Sequence, residues 1–182
     1  MEMLGDPAYE IDIITVAETT DPVVSRHGQR IVPDITMAER TKYDLLLVPG
    51  GDSALVECNT PQVLQWIRDV SQNAERVMAV CTGTIVLGMA GVLDGRRATT
   101  NKLDFNSTVH LAPKVNWVKQ ARWVEDGKFF TSSGVSAGAD MALGALANLY
   151  GSEMAEKTAE QCEYTWHRDP DVDPFARLAG LV

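Results

Sequence analysis

The sequence has little of three features that mark other protein classes: positive charge, long apolar runs and cysteine. Its 16 Lys and Arg residues are outnumbered by 25 Asp and Glu residues, which gives a formal net charge of −9. Since the basic residues also form no patch, we expect no nucleic-acid partner and no binding to an anionic membrane surface. No apolar run approaches the roughly 18–20 residues that span a bilayer, so no membrane segment is predicted.

The first residues and the cysteines indicate a compartment. The opening MEMLGDPAYE lacks the basic and apolar regions of a secretory signal. An odd count of 3 cysteines, without short pairing spacings, fits a reducing environment better than a disulfide framework, so we expect a cytoplasmic protein. No C-x-x-C or Cys/His zinc pattern occurs. The acidic run Asp169–Asp173 contains proline and lacks a ligand-loop glycine, so we interpret it as a solvated tail rather than a cation site.

What the chain does contain is an alternation of strand-like and helix-like segments. Its 182 residues, 45% of them hydrophobic and 23% charged, fit one globular domain. The apolar run Leu45–Val48 suggests a strand buried on both faces, as in a parallel sheet. The predicted strands are Tyr9–Ala17, Tyr43–Val48, Val77–Val80, Arg97–Thr100 and a hairpin of Ala121–Val124 with Lys128–Thr131. One predicted helix begins at Pro61, and another is capped by Ser136. Three more are predicted over Thr82–Ala90, Lys102–Leu111 and Ser152–Cys162. This alternation predicts an α/β fold, a three-layer α/β/α sandwich with a mostly parallel sheet.

The segment around Cys81 carries the strongest chemical signal. The apolar run Val77–Val80 stops at Cys81, and the small residues that follow open a helix, which is the layout of a nucleophile elbow. A cysteine near the positive end of a helix favours thiolate over thiol. The alternative is a small buried apolar residue at a strand end, but burying sulfur needs no such tight turn. Cys58 and Cys162 lack this setting, and we interpret both as structural.

Three motifs together resemble the ThiJ/PfpI superfamily. They are YDLLLVPGG at residues 43–51, AVCTGTIVLGMAGVLDGRRATTN at 79–101 and TSSGVSAGADMALGALANLYG at 131–151. The resemblance implies the flavodoxin-like, class I glutamine-amidotransferase-like fold. Within the superfamily, the Cys-Thr-Gly triplet followed by RRATT is most similar to the isocyanide (isonitrile) hydratase-like branch.

The resemblance also implies a site. Its nucleophile is the thiolate of Cys81, and its oxyanion donors are the backbone N–H groups of Thr82 and of one glycine in the Gly50-Gly51 loop. A weaker inference adds three pocket-lining residues, Asn101, Ser133 and Gly134. No metal or organic cofactor is needed, because the thiolate is itself the nucleophile. We expect a small electrophilic molecule as substrate and a homodimer as the assembly.

The chain departs from the family pattern in two places. A strand and a helix normally precede the segment equivalent to Tyr9–Ala17 and bring an acidic side chain that bonds the nucleophile. No residue here takes that role, so residues 1–182 are expected to form one N-terminally shortened domain. Asn101 stands where related sequences often carry His, and Asn cannot shuttle a proton near neutral pH. A Cys–His dyad through this position is therefore excluded, and the three histidines are interpreted as surface or packing residues.

These features predict a cysteine-dependent hydratase or hydrolase that acts on a small electrophilic carbon, with isocyanide conversion to N-formamide as the leading hypothesis. A glyoxalase or deglycase acting on methylglyoxal is a second hypothesis, although it needs the proton shuttle that Asn101 does not provide. A third is a redox or stress-response protein in which Cys81 is oxidised, and a fourth is an inactive shortened homologue.

Overall fold

The fold was obtained as a computed structural model, which describes Leu4, residues 11–25 and residues 27–182. The strands of this part are β1 (Val16–Ala17), β2 (Val23–Val24), β3 (Arg30–Ile31), β4 (Ile35–Thr36), β5 (Leu45–Val48), β6 (Arg76–Val80), β7 (Arg97–Ala98), β8 (Asn116–Trp117), β9 (Trp123–Asp126) and β10 (Phe129–Ser132). The helices are α1 (Ala54–Glu57), α2 (Pro61–Asn73), α3 (Gly83–Met89), α4 (Phe105–Thr108), α5 (Val135–Tyr150), α6 (Ser152–Gln161) and α7 (Pro174–Leu178).

A four-stranded sheet in the order β5-β6-β10-β9 forms the centre of the fold. The pairs β5–β6 and β6–β10 are parallel, and only the hairpin pair β10–β9 is antiparallel. Strands β1 and β4 form a separate parallel pair, as do β7 and β8. The sheet is therefore mostly parallel, as the sequence predicted.

Successive side chains of a strand point to opposite faces of the sheet, so apolar residues lie on both faces, and helices cover both. On β6, Val77 and Ala79 join the core cluster that includes residues of α2 and α3. Met78 points to the other face, where it packs in the cluster that contains Phe130 and residues of α5 and α6. The result is a helix–sheet–helix sandwich, which confirms the predicted fold class.

Several predicted elements are confirmed and others need correction. Helix α2 begins at Pro61, and β6 leads through Cys81 into α3 as predicted. The strand predicted at Tyr9–Ala17 is reduced to β1, since residues 11–15 form no strand and residues 9 and 10 lie outside the described part. Helix α5 begins at Val135 with Gly134 at its N-cap, so Ser136 lies inside the first turn instead of capping it.

The helix predicted over Lys102–Leu111 is broken. It consists of the short α4 followed by a 3₁₀ turn, Val109–Leu111. The side-chain oxygen of Asn101 accepts hydrogen bonds from the backbone N–H groups of Leu103 and Asp104, and such local side-chain bonds compete with helix formation.

The predicted hairpin also turns later than expected. Glu125 and Asp126 pair with Phe130 and Phe129 inside the ladder, so the turn falls on residues 127 and 128. The Asp126 carboxylate accepts a hydrogen bond from the Arg97 backbone N–H at 2.8 Å, which ties this end of β9 to β7.

The acidic C-terminal run is solvated only in part, since Asp169, Asp171 and Val172 are exposed, whereas the rest is fixed to the fold, which corrects the prediction. Asp173 is buried, and its carboxylate caps α7 by accepting a hydrogen bond from the Phe175 backbone N–H at 3.1 Å. The carbonyl oxygen of Pro170 accepts from the N–H groups of Arg122 and Trp123. The segment is thus fixed along the chain that enters β9.

Candidate active site

Cys81 occupies a strained turn between β6 and α3. Its φ angle is 59°, a left-handed conformation that is uncommon for a residue other than glycine. The backbone is held in that conformation by neighbours: the Cys81 N–H donates to the Ser132 carbonyl at 3.1 Å, and the Cys81 carbonyl accepts from the Thr100 hydroxyl at 2.9 Å. Strain that the surroundings enforce in this way is typical of functional turns. The Cys81 residue as a whole is partly exposed.

Two glycines allow the loop after β5 to approach this turn closely. A Cβ atom on Gly50 would lie 2.7 Å from the Cys81 Cβ and 2.8 Å from the Val80 carbonyl oxygen. A Cβ atom on Gly83 would lie 2.5 Å from the carbonyl oxygen of Val48. The loop and the turn therefore meet backbone to backbone, and no larger residue fits either position.

Thr82 links the same two segments through its side chain. The Gly51 N–H donates to the Thr82 hydroxyl oxygen at 2.9 Å, and the hydroxyl donates to the Gly51 carbonyl at 3.0 Å. The Gly51 N–H thus already has an acceptor. Among the hydrogen bonds of the described residues, none uses the Thr82 backbone N–H as donor.

Asn101 lies directly against the sulfur. Its Nδ2 donates to Cys81 Sγ at 3.2 Å, while its Oδ1 accepts from the Leu103 and Asp104 backbone N–H groups at 2.8 and 3.2 Å. Because two backbone donors fix the amide oxygen, the NH₂ group must face the sulfur. An amide N–H in this position stabilises negative charge on sulfur but cannot transfer a proton as an imidazole does.

Ser133 and Gly134 differ in how close they come to this contact. A Cβ atom on Gly134 would lie 3.9 Å from Asn101 Nδ2, so the start of α5 adjoins the site. Ser133 is buried, and its N–H donates to the Arg122 carbonyl at 2.9 Å. Its backbone is thus tied to the chain that enters β9.

Sequence reasoning missed Lys102, which is buried directly after Asn101. Its Nζ donates to the Thr99 hydroxyl and to the Ala121 carbonyl, each at 2.6 Å. Burial lowers the pKa of Lys102 to about 8, and the negative charge of Asp173 opposes that shift. A lysine is usually exposed, so nothing in the sequence marked this position as buried.

A second set of buried charges ties the C-terminal segment to α5 and to the chain that enters β9. Arg122 contacts the Asp140 carboxylate at 2.6 and 2.7 Å and lies 3.8 Å from the Asp173 carboxylate. Tyr164 also bonds Asp140, and its pKa is raised first by burial and then by that carboxylate. The signal for this network was an arginine within an otherwise apolar predicted strand.

Other potential sites do not involve the sulfur. A cavity of about 820 Å³ lies between the C-terminal segment and the start of α5, and Cys81 does not line it. Within the described ranges, no group of three or more His, Cys, Asp or Glu side chains is arranged to hold a metal ion. In the same part of the chain, no helix is both long and apolar enough to cross a membrane.

The remaining cysteines show what distinguishes Cys81. Cys58 is buried, as expected of a structural cysteine, and burial raises the pKa of its thiol. Cys162 is exposed at the end of α6, so it is not a packed residue, which corrects its interpretation as structural.

Known proteins similar to this chain include both an enzyme and a transcriptional regulator. Residues 2–148 match the DJ-1/PfpI family. The chain is 36% identical over 157 residues to isonitrile hydratase from Pseudomonas putida. The matched segment covers 85% of this chain and 67% of that protein. It is 33% identical over 140 residues to the HTH-type transcriptional regulator CdhR from Pseudomonas aeruginosa, covering 77% of this chain and 41% of the regulator. A solved THiJ/PfpI family protein from Pseudomonas syringae superposes with a TM-score of 0.77 at 32% identity, covering 90% of this chain and 64% of that one.

Proposed function

Because this chain belongs to the DJ-1/PfpI family, we propose that it is a cysteine-dependent hydratase that converts an isocyanide to the corresponding N-formamide. The observation that carries the proposal is the partly exposed Cys81 at a strained turn, with the Asn101 amide donating to its sulfur at 3.2 Å. The similarity to an isonitrile hydratase supports the choice of substrate.

The reaction begins with the Cys81 thiolate bonding to the terminal carbon of R–N≡C. That carbon then takes a proton from water, which gives a thioimidate, R–N=CH–S–Cys, and hydroxide. The hydroxide adds to the same carbon, and a proton moves from the new hydroxyl to nitrogen. Breaking the C–S bond returns the electron pair to sulfur and releases R–NH–CHO. In the net reaction, one isocyanide and one water give one N-formamide, and the reaction includes no redox step and uses no cofactor.

The residues around Cys81 each have a role in these reaction steps. Asn101 Nδ2 donates to the thiolate before attack and again when the sulfur leaves. The Thr82 backbone N–H stabilises charge that develops on the adduct, and one such donor is typically worth about 3–4 kcal/mol. The Thr82 hydroxyl holds Gly51 in place, so the Gly51 N–H becomes a second donor only if it exchanges this partner.

The glyoxalase alternative is disfavoured by the same contact. Addition of a thiolate to an aldehyde and the following isomerisation need a group that both gives and takes a proton. The amide at Cys81 Sγ does neither. The redox alternative predicts oxidation of Cys81 by peroxide without turnover of either substrate.

The test is to incubate the protein with an alkyl isocyanide and follow the N-formamide by chromatography, with methylglyoxal consumption measured in parallel. We expect formamide production that is lost in Cys81→Ala and retained in Cys162→Ala, which removes an exposed cysteine far along the chain. Folded protein that produces no formamide would refute the hydratase assignment. Consumption of methylglyoxal alone would favour the glyoxalase.

A further inference from the structure

The Asn101 contact with the sulfur depends on how the turn that carries Asn101 is attached to the fold. The amide oxygen bonds only to the backbone N–H groups of Leu103 and Asp104, just after the Thr99–Lys102 turn, so it orients the amide without fixing that turn in space. Four attachments do that. The Thr99 N–H donates to the Thr131 hydroxyl at 3.0 Å, and the Thr99 hydroxyl donates to the Val118 carbonyl at 2.8 Å. The Thr100 hydroxyl donates to the Cys81 carbonyl at 2.9 Å, and Lys102 makes the fourth attachment, to the Ala121 carbonyl.

Lys102 is an unusual attachment because its charge is buried. The residue is 3% exposed, and its ammonium reaches across to the Thr99 hydroxyl and the Ala121 carbonyl. Its Nζ also lies 5.7 Å from the centre of the Phe105 ring. The negative charge of Asp173, in the C-terminal segment, raises the pKa of Lys102, whereas burial lowers it. Burying a lysine charge is costly unless its donors are satisfied, so these contacts are needed to hold the ammonium in place.

We propose that Lys102 is a positioning residue for the reactive sulfur: its ammonium fixes the Thr99–Lys102 turn to the chain at Ala121 and thereby holds Asn101 Nδ2 within hydrogen-bond distance of Cys81 Sγ. The proposal rests on Cys81 being the reactive centre of the proposed function. Lys102 itself does not touch the sulfur or the substrate.

The geometry explains why loss of this anchor reaches the sulfur. Lys102 spans both ends of the turn, since it is the last residue and bonds the first, Thr99. Without the ammonium, the Ala121 carbonyl keeps only the longer hydrogen bond from the Thr99 hydroxyl at 3.4 Å, and the Lys102 end of the turn loses its attachment. A displacement of about 1 Å is enough to end a well-formed hydrogen bond. A purely structural lysine would lower stability but leave the reactivity of Cys81 in the folded protein unchanged.

The experiment measures alkylation by iodoacetamide at each cysteine, using peptide mass spectrometry on the whole chain. Cys162 is exposed and serves as the internal reference, whereas the buried Cys58 reports opening of the fold. We expect Lys102→Met to slow alkylation of Cys81 relative to Cys162 on the order of tenfold, the typical value of a hydrogen bond to a charged group. Lys102→Arg keeps the charge and the donors and should recover most of the rate. The matched control, Lys114→Met, removes an exposed lysine and should change nothing.

Faster alkylation of Cys58 would reveal that Lys102→Met opens the fold. For that case, a pair of smaller substitutions at Thr99 tests the same contact. Thr99→Val removes one acceptor of the ammonium together with the hydroxyl donor to the Val118 carbonyl, whereas Thr99→Ser keeps both. We expect Thr99→Val to slow Cys81 by about threefold and Thr99→Ser to match the wild type. Unchanged Cys81 alkylation in folded Lys102→Met, or equal rates in the two Thr99 variants, would overturn the proposal. Iodoacetamide requires no isocyanide turnover, so this outcome is independent of the hydratase test.

Discussion

Replacing Asn101 with aspartate isolates the contribution of the amide N–H to the reactivity of Cys81. The two side chains have nearly the same shape, and one carboxylate oxygen continues to accept from the Leu103 and Asp104 N–H groups. The other oxygen then takes the place of Nδ2, 3.2 Å from the sulfur. The substitution therefore exchanges a donor for a negative charge with little other change.

The expected loss follows from two contributions. A hydrogen bond to a charged group contributes about 1.5–3 kcal/mol. Two like charges roughly 4 Å apart repel by about 4 kcal/mol at an effective dielectric constant near 20, and partial exposure of the site reduces this value. We therefore expect a total of at least about 3 kcal/mol, which is a reduction of roughly a hundredfold in the rate at which Cys81 reacts near neutral pH.

The assay combines iodoacetamide alkylation of Cys81 with formamide production from an isocyanide. Asn101→Ala should reduce both by about tenfold, because it removes the donor without adding charge. Asn106→Asp adds the same charge at an exposed position of α4 and should have no effect. A rate for Asn101→Asp within about threefold of the wild type, or one above that of Asn101→Ala, would refute the assigned role of the amide.

Three further predictions concern the framework of the site. Gly50→Ala should lower Cys81 alkylation at least about tenfold and reduce the melting temperature, since its Cβ would lie 2.7 Å from the Cys81 Cβ; an unchanged rate would contradict the close packing. Arg122→Met should lower the free energy of unfolding in urea by about 3–5 kcal/mol, because it leaves the buried Asp140 carboxylate without its positively charged partner, and a loss below about 1 kcal/mol would contradict this. Since burial lowers the pKa of Lys102 from 10.5 to about 8, the unfolded chain binds more protons than the folded protein between these values. Stability contributed by this group should therefore rise with pH through that window, by up to about 3 kcal/mol, in the wild type but not in Lys102→Met.

The order of elements around Cys81 was predictable from the sequence because it is local. The apolar run of β6, the reactive residue and the small residues that open α3 are contiguous, and each has a propensity that can be assigned without the rest of the chain. The same holds for the apolar run of β5, whose burial on both faces follows from its composition. These runs, together with the family motifs, were enough to predict the parallel sheet and the turn that carries the cysteine.

The contacts that give the turn its chemistry were decided by the tertiary structure. Asn101 lies 20 positions from Cys81, and Thr82 lies 31 positions from its partner Gly51. The sequence identified each as a candidate, yet the orientation of the Asn101 amide toward the sulfur depends on backbone donors of a broken helix that periodicity predicted to be continuous.

Lys102 and Asp173 show the limit of the sequence most clearly. By residue type both belong at the surface, and the sequence placed Asp173 in a solvated tail. In the fold, Lys102 and Asp173 are each 3% exposed, because the C-terminal segment packs along the chain that enters β9 and brings their opposite charges to one region. Whether a charged side chain is buried depends on partners supplied from distant parts of the chain, and only the folded structure brings those partners together.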